Sequence, residues 1–328
     1  MHAGRSARER AALFAAFAAI YFVWGATFLA IRYAVEAIPP LALMGLRSAT
    51  AGALLLGGAR LLGPGATFAW PTRPQWAHAA VAGVLLFGGS HGVLATAERH
   101  VPSGVAALAI TTIPLWLVLL DALRPGGARP SGRVLLGMLI GIAGVGLLAG
   151  NGVASASVGS LLLLVASALS WAAGSLYARH APRAASAPVH TGAQLLAGGV
   201  VLLAGSALLG EHGLRAFAAA PPRALAAFAF LVLFGSVVTF TAYTWLLRVS
   251  TPARVGTYAF VNPVVAVLLG WAVAGEALTA RLLVALVVVL AGVGLVITAP
   301  RPATAPRAAV PDDDDGAFSP ASAGATAS

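Results

Sequence analysis

Ten apolar blocks follow one another along the chain, most of them about 20 residues long, separated by short gaps that collect proline, glycine and arginine. Helices of that length cross ~30 Å of hydrocarbon, and inside hydrocarbon only helices and closed barrels satisfy every backbone polar group. The pattern predicts spans near residues 11–31, 40–61, 76–97, 103–123, 134–150, 158–178, 190–209, 224–247, 253–275 and 282–298. The predicted fold is all-α and polytopic. The first block follows Arg5, Arg8 and Arg10, as in a signal peptide, but it exceeds the 7–15 apolar residues of such a leader, so it reads as a retained span. Residues 1–10 read as a short arm. Residues 299–328, rich in Pro, Ala and Ser with the run Asp312–Asp315, read as a disordered tail.

Arginine positions orient the predicted helices. With the N-terminus in the cytoplasm, cytoplasmic segments hold 14 arginines and outer segments 5, and only Arg47 lies inside a span. That bias obeys the positive-inside rule, and an even number of spans puts both termini in the cytoplasm. The halves also repeat. Trp24 with Arg32 returns as Trp171 with Arg179, Leu86-Phe87-Gly88 as Leu233-Phe234-Gly235, and Gly141-Ile-Ala-Gly-Val-Gly as Leu290-Ala-Gly-Val-Gly, at an offset of about 147–150 residues, or five spans. Five is odd, so the second copy runs upside down. Inverted repeats are the architecture of many secondary carriers, with the substrate site at the repeat interface.

Composition narrows the classes further. The chain is 59% hydrophobic and 9% charged, against about 25% charged in soluble domains. Its net charge of +10 comes from 20 basic residues, all arginine; spread between apolar blocks, they set topology rather than bind nucleic acid. There is no cysteine, which excludes disulfides and thiolate chemistry. No metal site or cofactor motif is expected.

Several short pieces occur together in order: Trp24-Gly25-Ala26-Thr27 with Arg32, Pro39-Pro40 followed by Arg47, and Ala97-Glu98 with Pro102-Ser103-Gly104 in the first half. The second half has Ser170-Trp171 with Gly174-Ser175 and Tyr177, then Tyr258 with Val261-Asn262-Pro263 and Gly275-Glu276. From about residue 11 to 298 the chain resembles the EamA-type permeases of the drug/metabolite transporter superfamily. The resemblance implies ten helices, here as two inverted five-helix repeats in a bacterial inner membrane, and export or uptake of amino acids or other small metabolites by alternating access; export is the direction expected for this chain. The acidic residue that would match Glu276 in the first half is missing, the aligned position being near Gly127.

Polar residues inside spans are costly unless they face a cavity or a partner. Trp24, Ser90, His91, Thr111, Thr112, Trp171, Thr239, Tyr243, Tyr258 and Asn262 are the candidates for a substrate cavity; helix-packing glue is the bland alternative for each serine or threonine. Ser236 shares a helix face with Thr239 and Tyr243. Pro114 and Pro263 fall mid-span at matching places in the two halves and are candidate helix breaks or hinges. Arg47 is expected either to form a structural ion pair with Glu36 or Glu98 or to anchor an anionic substrate. Glu98, Asp121 and Glu276 fall near span ends, which argues against a mid-helix carboxylate that exchanges protons. Gly137-x-x-x-Gly141 is expected to pack a neighbouring helix within a monomer.

A rival reading comes from Gly88-Gly89-Ser90-His91-Gly92, which fits the G-x-S-x-G pattern of hydrolases. A nucleophilic serine needs a base within hydrogen-bond reach. His91 is the next residue on the helix and points about 100° away, and the other histidines lie at span ends or in loops. A transporter of small molecules, not an enzyme, is the expectation; a channel or receptor is the other alternative.

Overall fold

The computed structural model describes residues 7–62, 68–125, 130–149, 156–182, 186–250, 255 and 257–299. The described residues form ten main helices: α1 Ala7–Val35, α2 Pro40–Leu62, α3 Arg73–Glu98, α4 Ser103–Leu123, α5 Gly132–Gly146, α6 Val158–His180, α7 Ala187–Leu208, α8 built from Pro222–Val232, Leu233–Val238 and Thr239–Val249, α9 Tyr258–Ala274 and α10 Ala280–Ile297. Eight are long and apolar enough to cross a membrane; α5 and α9 are apolar but shorter, at 15 and 17 residues.

The clearest departures from the sequence pattern are the start of α1 and the end of α5. Helix α1 starts at Ala7, so residues 7–10 belong to it rather than to an arm; Glu9 in its first turn suits the positive end of the helix dipole. Helix α5 stops at Gly146 because Leu148 and Ala149 donate to carbonyls only three residues back, tightening the last turn. Helix α9 is described from Tyr258; residues 251–254 and 256, where the pattern places its start, lie outside the described residues, as do nearly all of the C-terminal tail and Gly127.

Helix starts explain themselves locally in four cases. Thr72, Ser131, Ser157 and Thr279 each accept a bond from the backbone N–H three residues on, which satisfies one of the donors that a helix start leaves free. Helices α2 and α4 are capped instead from the other half of the chain. Glu211 accepts from the N–H groups of Leu41 (3.4 Å) and Ala42 (2.9 Å). Glu276 accepts from Ser103 (2.8 Å) and Gly104 (3.2 Å), reached through a turn in which Gly275 takes φ +65°.

Packing repeats the sequence symmetry. Helix α2 packs on its counterpart α7, and α5 on its counterpart α10; α1 packs on α8 and α9 as α6 packs on α3 and α4. The copies run in opposite directions. Arg32, near the end of α1, donates to the Glu98 carbonyl (2.9 Å) at the end of α3. Tyr177, near the end of α6, bonds His78 (2.6 Å) in the first turns of α3. The glycine stripe of α5 is used inside the chain: a Cβ added at Gly292 of α10 would stand 2.6 Å from the Gly137 carbonyl and 2.8 Å from Gly141 Cα. Overpacking of this kind costs about 1–3 kcal/mol. Gly292→Val should therefore lower the melting temperature of the detergent-solubilised protein by several degrees; an unchanged melt would contradict the α5–α10 contact.

Candidate functional site

Three helices abandon regular α-hydrogen bonding. Residues Ala19–Val23 of α1, Val84–Gly92 of α3 and Leu233–Val238 of α8 are π-helical. The last two contain the repeated Leu-Phe-Gly triplets, at Leu86 and Leu233. A π-turn shifts carbonyls away from their usual donors, and such turns recur at functional sites. Here side chains supply the donors, several of them from the opposite half. In the amide orientation that satisfies its surroundings, Asn262 Nδ2 of α9 donates to the carbonyls of Ile20 (3.0 Å) and Tyr21 (2.9 Å) in α1, and to Tyr258 (3.2 Å). Trp24 Nε1 of α1 donates to Gly235 O of α8 (3.2 Å). Ser170 and Ser167 of α6 donate to Leu85 O (2.8 Å) and Ser90 O (3.0 Å) in α3. Within α8, Ser236 and Thr239 bond carbonyls five residues back.

These helices surround a cavity of about 110 Å³ between the halves. It is lined by Trp24, Thr27, Phe28, Ile31, Arg47, Ser90, His91, Leu94, Ile110, Ile113, Trp171, Phe240, Tyr258 and Asn262. Seven of the residues singled out in the sequence thus meet at one place: Trp24, Arg47, Ser90, His91, Trp171, Tyr258 and Asn262. The His91 ring stacks on Trp171 (centroids 5.2 Å apart, planes at 23°) and meets Phe87 edge-on. Trp24 contacts Phe240, Tyr243 and Tyr258.

The other candidates stand back from the cavity. Thr111 and Thr112 turn their hydroxyls onto the carbonyls of Ala107 and Ala109, and Thr239 does the same to Phe234, so for these three the hydroxyl is used up by its own helix. Tyr243 packs behind Trp24 and Tyr258. Helix α4 is interrupted at Thr111–Thr112, just before Pro114, whereas α9 runs through Pro263 without a break. The Ser90 hydroxyl bonds that of Ser167 (3.2 Å). Thr27, Phe28, Ile31, Leu94, Ile110, Ile113 and Phe240 complete the lining; helical spacing from Trp24 marks Thr27, Phe28 and Ile31, and nothing in the sequence separates the others from lipid-facing residues.

Arg47 departs from expectation. It is 4% exposed, yet no ion pair with Glu36 or Glu98 forms; an ion pair does join Arg124 to Asp121, at the far end of α4. Its Nε donates instead to Ser236 Oγ (3.1 Å) in the π-turn of α8, and Nη1 lies 3.8 Å from Met44 Sδ. The guanidinium is thus held by neutral groups. It is the one formally charged side chain in the cavity lining.

Residues 10–150 and 158–298 each match the model of the EamA-like transporter family. The chain belongs to the EamA-like transporter family. One family unit covers α1–α5 and the other α6–α10. The inner membrane transporter YedA of Escherichia coli (strain K12) is 36% identical over 91% of this chain and 96% of the relative. A transporter of Archaeoglobus fulgidus is 25% identical over 84% and 94%. A protein crystal structure superimposes with a TM-score of 0.58 at 23% identity over 87% of this chain and 97% of that one, a likeness of fold alone.

In this EamA-like transporter, the cavity lies where the two family units exchange hydrogen bonds. Asn262 carries more of that exchange than any other side chain around it. A buried carbonyl left without a donor costs about 1–3 kcal/mol. Asn262→Leu should lower the unfolding free energy by about that amount, read as an earlier thermal melt in detergent; a melt equal to wild type would show that the α1 carbonyls do not depend on it.

Proposed function

We propose that this chain is a secondary transporter of small carboxylate-bearing metabolites such as amino acids, and that the cavity between the two repeats is its substrate chamber. The observation that carries this reading is Arg47: a buried guanidinium facing the cavity, held only by a hydroxyl and a thioether. Arginine pairs well with carboxylates, often through two parallel bonds. The rings of Trp24, Trp171, Phe240 and Tyr258 offer the apolar remainder of a solute a matching surface. Intramembrane charges usually mark substrate paths, and repeat interfaces are where carriers bind.

Alternating access is supported by a division of the apolar core. Ala16, Ile20, Leu246 and Val255 form a small cluster of their own with Tyr21, Trp24, Tyr243 and Tyr258, apart from the main core. The small cluster joins the rest through the π-turns of α1 and α8. Rocking of this end about those turns would open the chamber on one side. The arginine distribution supports a cytoplasmic location for this end and for both termini. The name of the Escherichia coli relative supports the bacterial inner membrane. As in any secondary carrier, net direction is set by the gradients of the solute and of whatever ion moves with it.

The test is flux through the purified protein in proteoliposomes, screened against labelled amino acids. Saturable, counterflow-stimulated movement is expected, as from a carrier; unsaturable flux would indicate a channel. Arg47→Gln should lower the flux at least tenfold, the loss of a charge-assisted bond being worth about 1.5–3 kcal/mol. His91→Ala should also lower transport while leaving abundant folded protein. Normal flux in both variants would remove this cavity from the substrate path.

A further inference from the structure

Glu98 ends α3, and the sequence pattern alone puts it at a span boundary with access to water. The structure buries it completely, at 0% exposure. Neither carboxyl oxygen has a hydrogen-bond partner. No ion pair involves it either; Arg32, which lies alongside, donates to the backbone carbonyls of Glu98 and Arg99 instead. The neighbouring carboxylate, Glu276, differs: both its oxygens accept backbone N–H groups of α4. Glu98 is therefore a side chain placed at structural cost, with no structural partner to justify it.

Its location connects it to the cavity. His91, Leu94 and Glu98 follow at spacings of three and four, one face of a helix, and His91 and Leu94 line the cavity. Glu98 stands one turn beyond Leu94, about 6 Å along the axis. The charged groups whose fields reach it are Glu276 ahead of α10, Arg32 of α1 and Arg47 of α2. Helix α4 presents Ser103, whose hydroxyl is also buried without a partner, and α6, packed against this stretch of α3, carries no ionisable side chain before Tyr177.

We propose that Glu98 is a proton-binding site that couples transport to the proton gradient. This rests on the transport reading above. An isolated carboxylate anion in such a place is far more costly than the neutral acid. The arrangement that shuts Glu98 away from water accordingly holds it with its proton, and one that admits water to the end of α3 lets the proton leave. The step is a plain transfer: hydronium gives a proton to the carboxylate oxygen on one side of the membrane, and the acid returns it to water on the other. Arg47 gives the coupling its direction. An anionic solute on Arg47 withdraws the positive charge available to an ionised Glu98, so solute and proton bind together and travel together.

Infrared spectra of the full chain in proteoliposomes, in light and heavy water, read Glu98 without any substrate. The expected result at neutral pH is the carbonyl band of a buried carboxylic acid, shifted by deuterium and missing in Glu98→Gln. In Glu98→Asp the band should persist at a changed frequency, which keeps the test decisive if the glutamine variant does not fold. No such band in the wild type, or one indifferent to both substitutions, overturns the proposal. A second arm loads the vesicles with a pH dye and adds a mixture of the twenty amino acids. Protons should enter with the amino acids, and the number carried per amino acid should fall at least tenfold in Glu98→Gln. Equal proton movement in both proteins, or flux that follows an imposed sodium gradient instead, contradicts it. If no amino acid moves at all, the amino-acid reading of the cavity fails, and the infrared result alone decides Glu98.

Discussion

Inside hydrocarbon a backbone carbonyl that loses its helical donor must find another within the protein. In this chain three helices give up regular bonding around one chamber, at Ala19–Val23, Val84–Gly92 and Leu233–Val238. The replacement donors tie the halves together. Asn262 serves α1, Trp24 serves α8, and Ser167 and Ser170 serve α3. Each half therefore completes the backbone of the other where the cavity forms. Such bonds are individually modest in membranes, on average about 0.6 kcal/mol, which is compatible with the rocking proposed above. The α5–α10 and α2–α7 contacts, by contrast, rest on close helix approach at Gly292, Gly137 and Gly52, which suits them to be the parts that stay fixed.

The same exchange occurs at the end of the bundle where α3 finishes. Glu211 and Glu276 each cap a helix of the first half from a loop of the second. Those carboxylates are fully engaged. Among the described residues, Arg47 and Glu98 are buried residues of charged type that form no ion pair, one facing the chamber and one a turn beyond its edge. Their fields reach each other without an ion pair. A direct pair would neutralise both and leave neither for a ligand. Kept apart, each retains an unmet interaction that a solute or a proton can supply.

Much of this was written in the sequence, and the reasons are physical. Span number, the doubled five-helix unit and its inversion follow from hydropathy length, the arginine bias and the Trp24/Trp171 and Leu-Phe-Gly repeats. Trp24, His91, Trp171, Tyr258, Asn262 and Arg47 were legible because polar and amphipathic groups are rare in apolar spans. Leu94, Ile110, Ile113 and Phe240 were not, because an apolar residue facing a chamber looks the same in sequence as one facing lipid. The threonines misled for the opposite reason: a hydroxyl one turn from a carbonyl can satisfy itself locally, as Thr111 and Thr112 do. Glu98 was undervalued because span ends are assumed wet, and Glu276 because its partners are backbone groups 172 and 173 residues away. The π-turns had no readable signal beyond the repeated triplet.

The central claim is that the cavity between the repeats is the solute's chamber and opens to the two sides of the membrane by turns. The natural absence of cysteine allows a clean measurement: a single Ile113→Cys substitution in the cavity wall, challenged with a membrane-impermeant maleimide in right-side-out and inverted vesicles. The account predicts labelling from both sides, slowed by the transported amino acid in each orientation. Labelling from one side only, or labelling that the solute does not slow, would contradict it.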